Sequence, residues 1–151
     1  MMAAQVMRTP WHLWAVGFLS LLWNAGGGYD YVMARTGNAS YVAMIPEGFR
    51  ADFLAYLDAI PIWASTGWAL GVWGSILGSV LILLRSRHAL TAFYVSLAGL
   101  AVNSVYTYLM ADTNLAMMAG TMAKLFTVGI VIVLILLTWY CHRQRSLGRL
   151  T

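Results

Sequence analysis

Four apolar segments, each long enough to cross a bilayer as a helix, divide this chain and leave it few folds to choose from. They run from about Trp11 to Tyr31, Pro61 to Leu84, Ala89 to Met110 and Met118 to Cys141. Only 9% of the residues are charged and 61% are hydrophobic, whereas soluble domains carry about a quarter charged residues. The pattern predicts an all-α membrane protein, an antiparallel bundle of four transmembrane helices forming a single domain over residues 1–151. The joins between the second and third spans and between the third and fourth are short, so sequential spans should pack antiparallel.

The first span sets a condition of its own. Trp11 to Trp23 rises only about 20 Å as a helix, against a hydrocarbon core of roughly 30 Å. A full crossing therefore draws Asn24, three glycines and Tyr29 into the membrane, with Asp30 near the far edge. Arg8 followed by an apolar run has the outline of a signal peptide. The bulky Trp23 before Asn24-Ala25 and the further spans predict an uncleaved helix instead.

Orientation follows from the nine Lys and Arg residues. With the N-terminus inside, Arg8, Arg85, Arg87, Arg143, Arg145 and Arg149 are cytoplasmic. Only Arg35, Arg50 and Lys124 lie outside, and the positive-inside rule therefore predicts N-in and C-in. The basic residues mark span ends rather than a nucleic-acid surface. His142 to Thr151 reads as a basic cytoplasmic tail. The expected location is a cell membrane, with the lipid bilayer as the main partner.

The long connection after the first span contains a helical pattern over about 46–60. Pro46-Glu47 suits a helix start, and Phe49, Phe53, Tyr56, Leu57 and Ile60 recur at helical spacing. This predicts a short amphipathic helix that lies on the outer surface or caps the bundle. Asn38-Ala39-Ser40 matches a glycosylation triplet that recurs by chance. Trp63 fits an outer interfacial belt, with Trp11, Trp14 and Trp139 on the inner side.

In the second span Gly67, Gly71, Gly74 and Gly78 step by four, three and four and share one face, flanked by Ser75 and Ser79. Lipid offers helices no hydrophobic reason to associate, so small residues that let backbones approach become the packing code. The seam is expected to receive another helix, within the monomer or across a homo-oligomer.

Hydrogen-bonding side chains add a second pattern. Counted from flush span ends, Asn24 and Asn103 lie about 20 Å from the inner edge. Ser65, Thr66 and Thr127 fall near the same depth by the same count, which predicts one polar layer in the outer third. Gly17, Ser20, Asn24, Gly27 and Tyr31 keep helical spacing in the first span, as do Ser96, Gly99, Asn103 and Tyr106 in the third. These faces should point into the bundle, either as interhelical hydrogen bonds of about 0.6–2 kcal/mol each or as the lining of a solute cavity. The candidate ligand-binding residues are Asn24, Asp30, Tyr31, Trp68, Asn103, Tyr106 and Lys124. An Asp30–Lys124 pair is expected, with Asp112 competing for the lysine.

Other chemistry finds little support in the sequence. His12, His88 and His142 fall near the cytoplasmic edge and are widely separated, so neither a metal site nor a haem is expected, and no cofactor is assigned. The lone Cys141 makes an intrachain disulfide impossible. No nucleophile–base pair, zinc-protease motif or phosphate loop appears, so no catalytic residue is assigned.

WNAGGGYDYVMARTGNASYVA, then PEGFRADF, then WALGVWGSILGSVLILLRSR, resembles a family of small four-span bacterial membrane proteins that is largely uncharacterised and sometimes labelled as sugar transporters. The resemblance covers nearly the whole chain. It is carried most specifically by Trp23-Asn24-Ala25, Asp30-Tyr31, Met33, Asn38, Tyr41 and the run Gly71 to Ser79. Ile45 stands where that family's pattern has a small hydroxyl residue before the Pro-Glu pair, which weakens helix capping there. The resemblance implies a class and no active residues. The expected function is a non-enzymatic inner-membrane protein that is structural, accessory or self-associating. The alternative is a permease for a small polar solute, such as a sugar, acting as an oligomer.

Overall fold

The computed structural model describes residues 9–111 and 120–151. Arg8, Asp112 and the expected start of the fourth span at Met118 lie outside the described residues. Within them the chain is all-helical. Helix α1 is Trp11–Arg35, α2 is Ala39–Met44, α3 is Glu47–Ala59 and α4 is Ile62–Leu83. Helix α5, Ala89–Val105, continues into a π-helical turn, Tyr106–Met110, and α6 is Thr121–Ser146.

Three of these helices are long and apolar enough to cross a membrane: α4, α5 with its π turn, and α6. This marks a membrane protein. At 25 residues α1 is as long, but His12, Asn24 and the three glycines make it less apolar.

Several boundaries differ from the sequence pattern. Helix α1 continues to Arg35, and Gly37 (φ +58) closes it in the left-handed conformation glycine adopts freely. The connection also holds α2, which the pattern missed. Asn38 caps α2 by accepting from the Tyr41 N–H at 3.1 Å. Arg50 on α3 donates to the Ile45 and Ala43 carbonyls at 2.8 and 2.7 Å, satisfying the free end of α2. Pro46 precedes α3 as its cap, so the helix begins at Glu47.

Helices α4 and α5 form the tightest pair, with α1 packed on α4 and α6 on α5. Gly67 and Gly71 face Gly99 and Leu100, Gly74 faces Ser96, and Gly78 faces Phe93. All four glycines are thus covered by α5, and self-association through this seam would have to displace that helix.

At one end Leu13, Ile82, Phe93, Leu134 and Cys141 join all four long helices in an apolar cluster. Leu150 is buried in the same cluster, and the Thr151 N–H donates to the Arg85 carbonyl at 2.8 Å. The segment from His142 is therefore not a free tail. Helix α6 runs through Ser146, and the last residues fold back on the α4–α5 turn. At the other end Phe53 and Tyr56 of α3 are buried against Ala34, Ala64 and Tyr106, so α3 sits over the ends of α1, α4 and α5. Helices α1 and α6 share no extensive contact. His12 bonds the Tyr140 hydroxyl at 2.7 Å, and the Trp23 and Phe126 rings meet at 6.3 Å.

Candidate functional site

Between the apolar cluster and the α3 cap the bundle is hollow. A cavity of about 770 Å³ is bounded by α1, α4, α5 and α6 and roofed by α2 and α3. Helix α1 contributes Trp23, Asn24, Gly26, Gly27, Tyr29 and Asp30. From α4 come Trp68, Gly71, Val72 and Ser75. Helix α5 and its π turn supply Leu100, Asn103, Ser104, Thr107 and Tyr108, and α6 supplies Phe126, Thr127, Ile130 and Leu134. Tyr41, Phe53 and Tyr56 complete the roof. Trp23, Tyr29 and Phe126 line the cavity yet are also exposed on the outside of the bundle. They place its mouth between α1 and α6.

The polar groups do not form one layer. Asn24 lies beside Ser75 and Ser79 on α4, whereas Val102, next to Asn103, lies against Gly67. The eight to twelve residues of α4 between these points, counting from 67 to 75 and to 79, rise roughly 12–18 Å. Counting from flush ends failed because α1 is displaced along α4. Gly17 already sits against Ile82 and Leu83, so the first turns of α1 run past the end of α4. Thr66 is exposed and bonds the Ile62 carbonyl of its own helix, and neither it nor Ser65 reaches the cavity.

Asn24 is buried, and its Nδ2 donates to the Ser79 hydroxyl at 2.9 Å and the Ser75 carbonyl at 3.2 Å. The Ser79 hydroxyl donates to the same carbonyl at 3.0 Å. These bonds orient the amide and leave Oδ1 without a donor among the described residues. The Asn103 side chain makes no hydrogen bond to a described residue, and its Oδ1 is enclosed without a partner. Buried polar groups in folded proteins are almost always satisfied by protein, water or ligand.

The π turn organises the roof. Such turns are rare and concentrate at functional sites. Tyr106 donates to the Ala59 carbonyl at 3.1 Å, Thr107 pairs with the Tyr56 hydroxyl at 2.8 Å, and Tyr108 pairs with Thr127 at 2.7 Å. Three consecutive side chains thus tie α5 to α3 and α6. Burial raises the Tyr56 phenol above its ordinary range, with the Thr107 bond opposing that shift. Burial also raises Tyr41, and its hydrogen bond to the Asp30 carboxylate adds to the shift.

Of the residues expected at a ligand site, Asn24, Asp30, Trp68 and Asn103 border one cavity. Tyr31 backs its wall, its ring edge-on to Trp68 at 4.9 Å, and Tyr106 serves the roof. Lys124 is exposed on α6 and does not line the cavity. Asp30 accepts from the Tyr41 hydroxyl, and among the described residues no ion pair joins it to Lys124. Tyr41 and Thr107 were not identified as site residues from the sequence. Thr107 follows Asn103 by four positions, a polar pair on one helical face that could have pointed to it. Among the described residues no group of His, Cys, Asp and Glu could hold a metal ion.

Comparison of the chain with protein-family models, curated proteins and solved structures gives no match.

Proposed function

We propose that this chain is a non-enzymatic, multi-pass membrane protein that holds a small solute in the cavity between α1, α4, α5 and α6 and serves as one protomer of a permease. One observation carries the reading. The two asparagines at this cavity are not paired with each other, and each keeps hydrogen-bonding capacity unused by the described residues. A cavity of about 770 Å³ is within the size range of small-molecule sites. A bundle held together only by polar glue would have closed around paired amides.

In this reading α1 is a fourth span and both termini face the cytoplasm of a bacterial inner membrane, as the basic residues favour. Helix α3 then covers the outer end. Four spans make a thin pathway, so two or more copies act together.

A structural role is the second reading. It is favoured by the Asn24–Ser79–Ser75 chain, in which the Asn24 side chain joins α1 to α4. Tryptophan fluorescence of the purified protein in lipid nanodiscs separates the two, because Trp23 and Trp68 border the cavity. A solute panel should change the emission of the wild type and not of Gly27→Leu. That variant places a side chain where a Cβ meets nothing within 4 Å. No response that Gly27→Leu removes would leave the structural reading standing.

A further inference from the structure

The lining of the cavity restricts what it can hold. Among the described residues that line it, Asp30 is the one charged residue, and none of them is a lysine or arginine. On the roof helix α3, Arg50 is spent on the Ile45 and Ala43 carbonyls. Tyr41 donates to one carboxylate oxygen of Asp30, which leaves Oδ2 without a protein donor among the described residues. An anionic solute would meet uncompensated repulsion there.

Aromatic rings surround the same end. Tyr29 precedes Asp30 on α1, Tyr41 bonds it, and Phe53 stands 6.3 Å from the Tyr41 ring. Tyr56 and Trp68 continue the wall. Aromatic faces attract cations, more strongly when water is excluded.

A sugar would need many hydrogen-bond partners, and the hydroxyls here are largely committed. Ser75, Thr107 and Thr127 each donate to a carbonyl of their own helix. The phenols of Tyr41, Tyr56 and Tyr108 are each paired with another side chain. Among the described residues, what remains unspent is one carboxylate oxygen, two amides and the Ser104 and Tyr29 hydroxyls along an otherwise apolar, aromatic space.

We infer that the cavity takes an organic monocation with an apolar body, its charge held at Asp30 among the aromatic rings and its body lying toward Asn24. The inference rests on the solute-binding reading above and names the ligand class of that site. The mouth between α1 and α6, edged by Trp23 and Phe126, faces the side of the bundle, which suits a ligand that partitions into lipid.

The test compares two probes of like size, methyltriphenylphosphonium and the neutral triphenylphosphine oxide. Both are titrated into the protein in nanodiscs, with empty nanodiscs as background. The wild type should bind the cation at least about tenfold more tightly than the oxide. Asp30→Asn keeps an acceptor for Tyr41 but removes the charge, and it should bring the two affinities together. Gly27→Leu should abolish binding of both, with secondary structure retained by circular dichroism. Equal affinities in the wild type, with binding still lost in Gly27→Leu, would overturn the charge assignment and leave the cavity reading intact. Binding that survives Gly27→Leu, or no binding of either probe, would overturn both.

Discussion

The Asn24 amide nitrogen lies 2.9 Å from the Ser79 hydroxyl, joining the middle of α1 to the C-terminal half of α4. Asn24→Ala removes this bond and the one to the Ser75 carbonyl, while Ser79 keeps its own bond to that carbonyl. The expected loss is about 0.6–2 kcal/mol, the range of single interhelical polar contacts in membranes. Cys141 provides the readout, since it is the sole cysteine and fully buried. A fluorogenic thiol reagent should label it only as the bundle opens, and at a lower temperature in Asn24→Ala. An unchanged midpoint would refute the contribution.

Gly99 marks the closest approach of α4 and α5. A Cβ there would stand 2.5 Å from the Gly67 carbonyl oxygen and 2.6 Å from the Gly71 nitrogen, both backbone atoms that no rotamer change can move. Gly99→Ala should therefore cost about 1–3 kcal/mol or more as the helices are forced apart. Gly27→Ala, with nothing within 4 Å of the new atom, should leave stability unchanged or raise it slightly through helix propensity. Thermal midpoints of the two variants in the same detergent check the contrast.

The roof hangs on the π turn through Tyr56 and Thr107. Tyr56→Phe removes their bond and leaves Thr107 still donating to the Asn103 carbonyl. The expected loss is about 0.5–1.5 kcal/mol, concentrated in α3. Hydrogen exchange should speed up in Glu47–Ala59 and stay unchanged in Ile62–Leu83. Equal acceleration in both helices would mean that α3 does not open on its own.

Tyr41 gives a signature at alkaline pH. Its phenol is raised by burial first and then by the Asp30 carboxylate, while an unfolded tyrosine ionises near pH ~10. A raised folded value favours the protonated form, so the stability it contributes is complete below about pH 10 and is lost as pH rises toward the folded value. Ultraviolet titration should show one late-ionising phenol fewer in Tyr41→Phe. In Asp30→Asn the Tyr41 phenol should ionise earlier but not at the ordinary value, because burial persists. A titration curve identical in all three proteins would contradict the contact.

The glycine face of α4 shows how much could be read in advance. Steps of four and three place Gly67, Gly71, Gly74 and Gly78 on one side of any α-helix, and that side is where α5 lies. Asn24 shows the limit. Its spacing predicted a face turned into the bundle, and the residue is buried there, but its partner and depth came out differently. The glycine spacing marks Ser79 only as a small neighbour of the seam. Charge alone pairs Asp30 with Lys124, whereas α2, held by its Asn38 cap and the Arg50 clamp, carries Tyr41 to it instead.

The sequence by itself determined the all-helical character, three apolar helices able to cross a membrane, the packing face of α4 and the inward turn of Asn24. These depend on hydropathy and helical period, which are properties of neighbouring residues along one chain segment. The tertiary structure decided the axial offset of α1 along α4, the placing of α3 over the bundle end and the gap between α1 and α6 that leaves the cavity. Each depends on which side chains interlock between helices distant in sequence. A helix can slide along its partner without altering its own pattern, so nothing in that pattern records the offset.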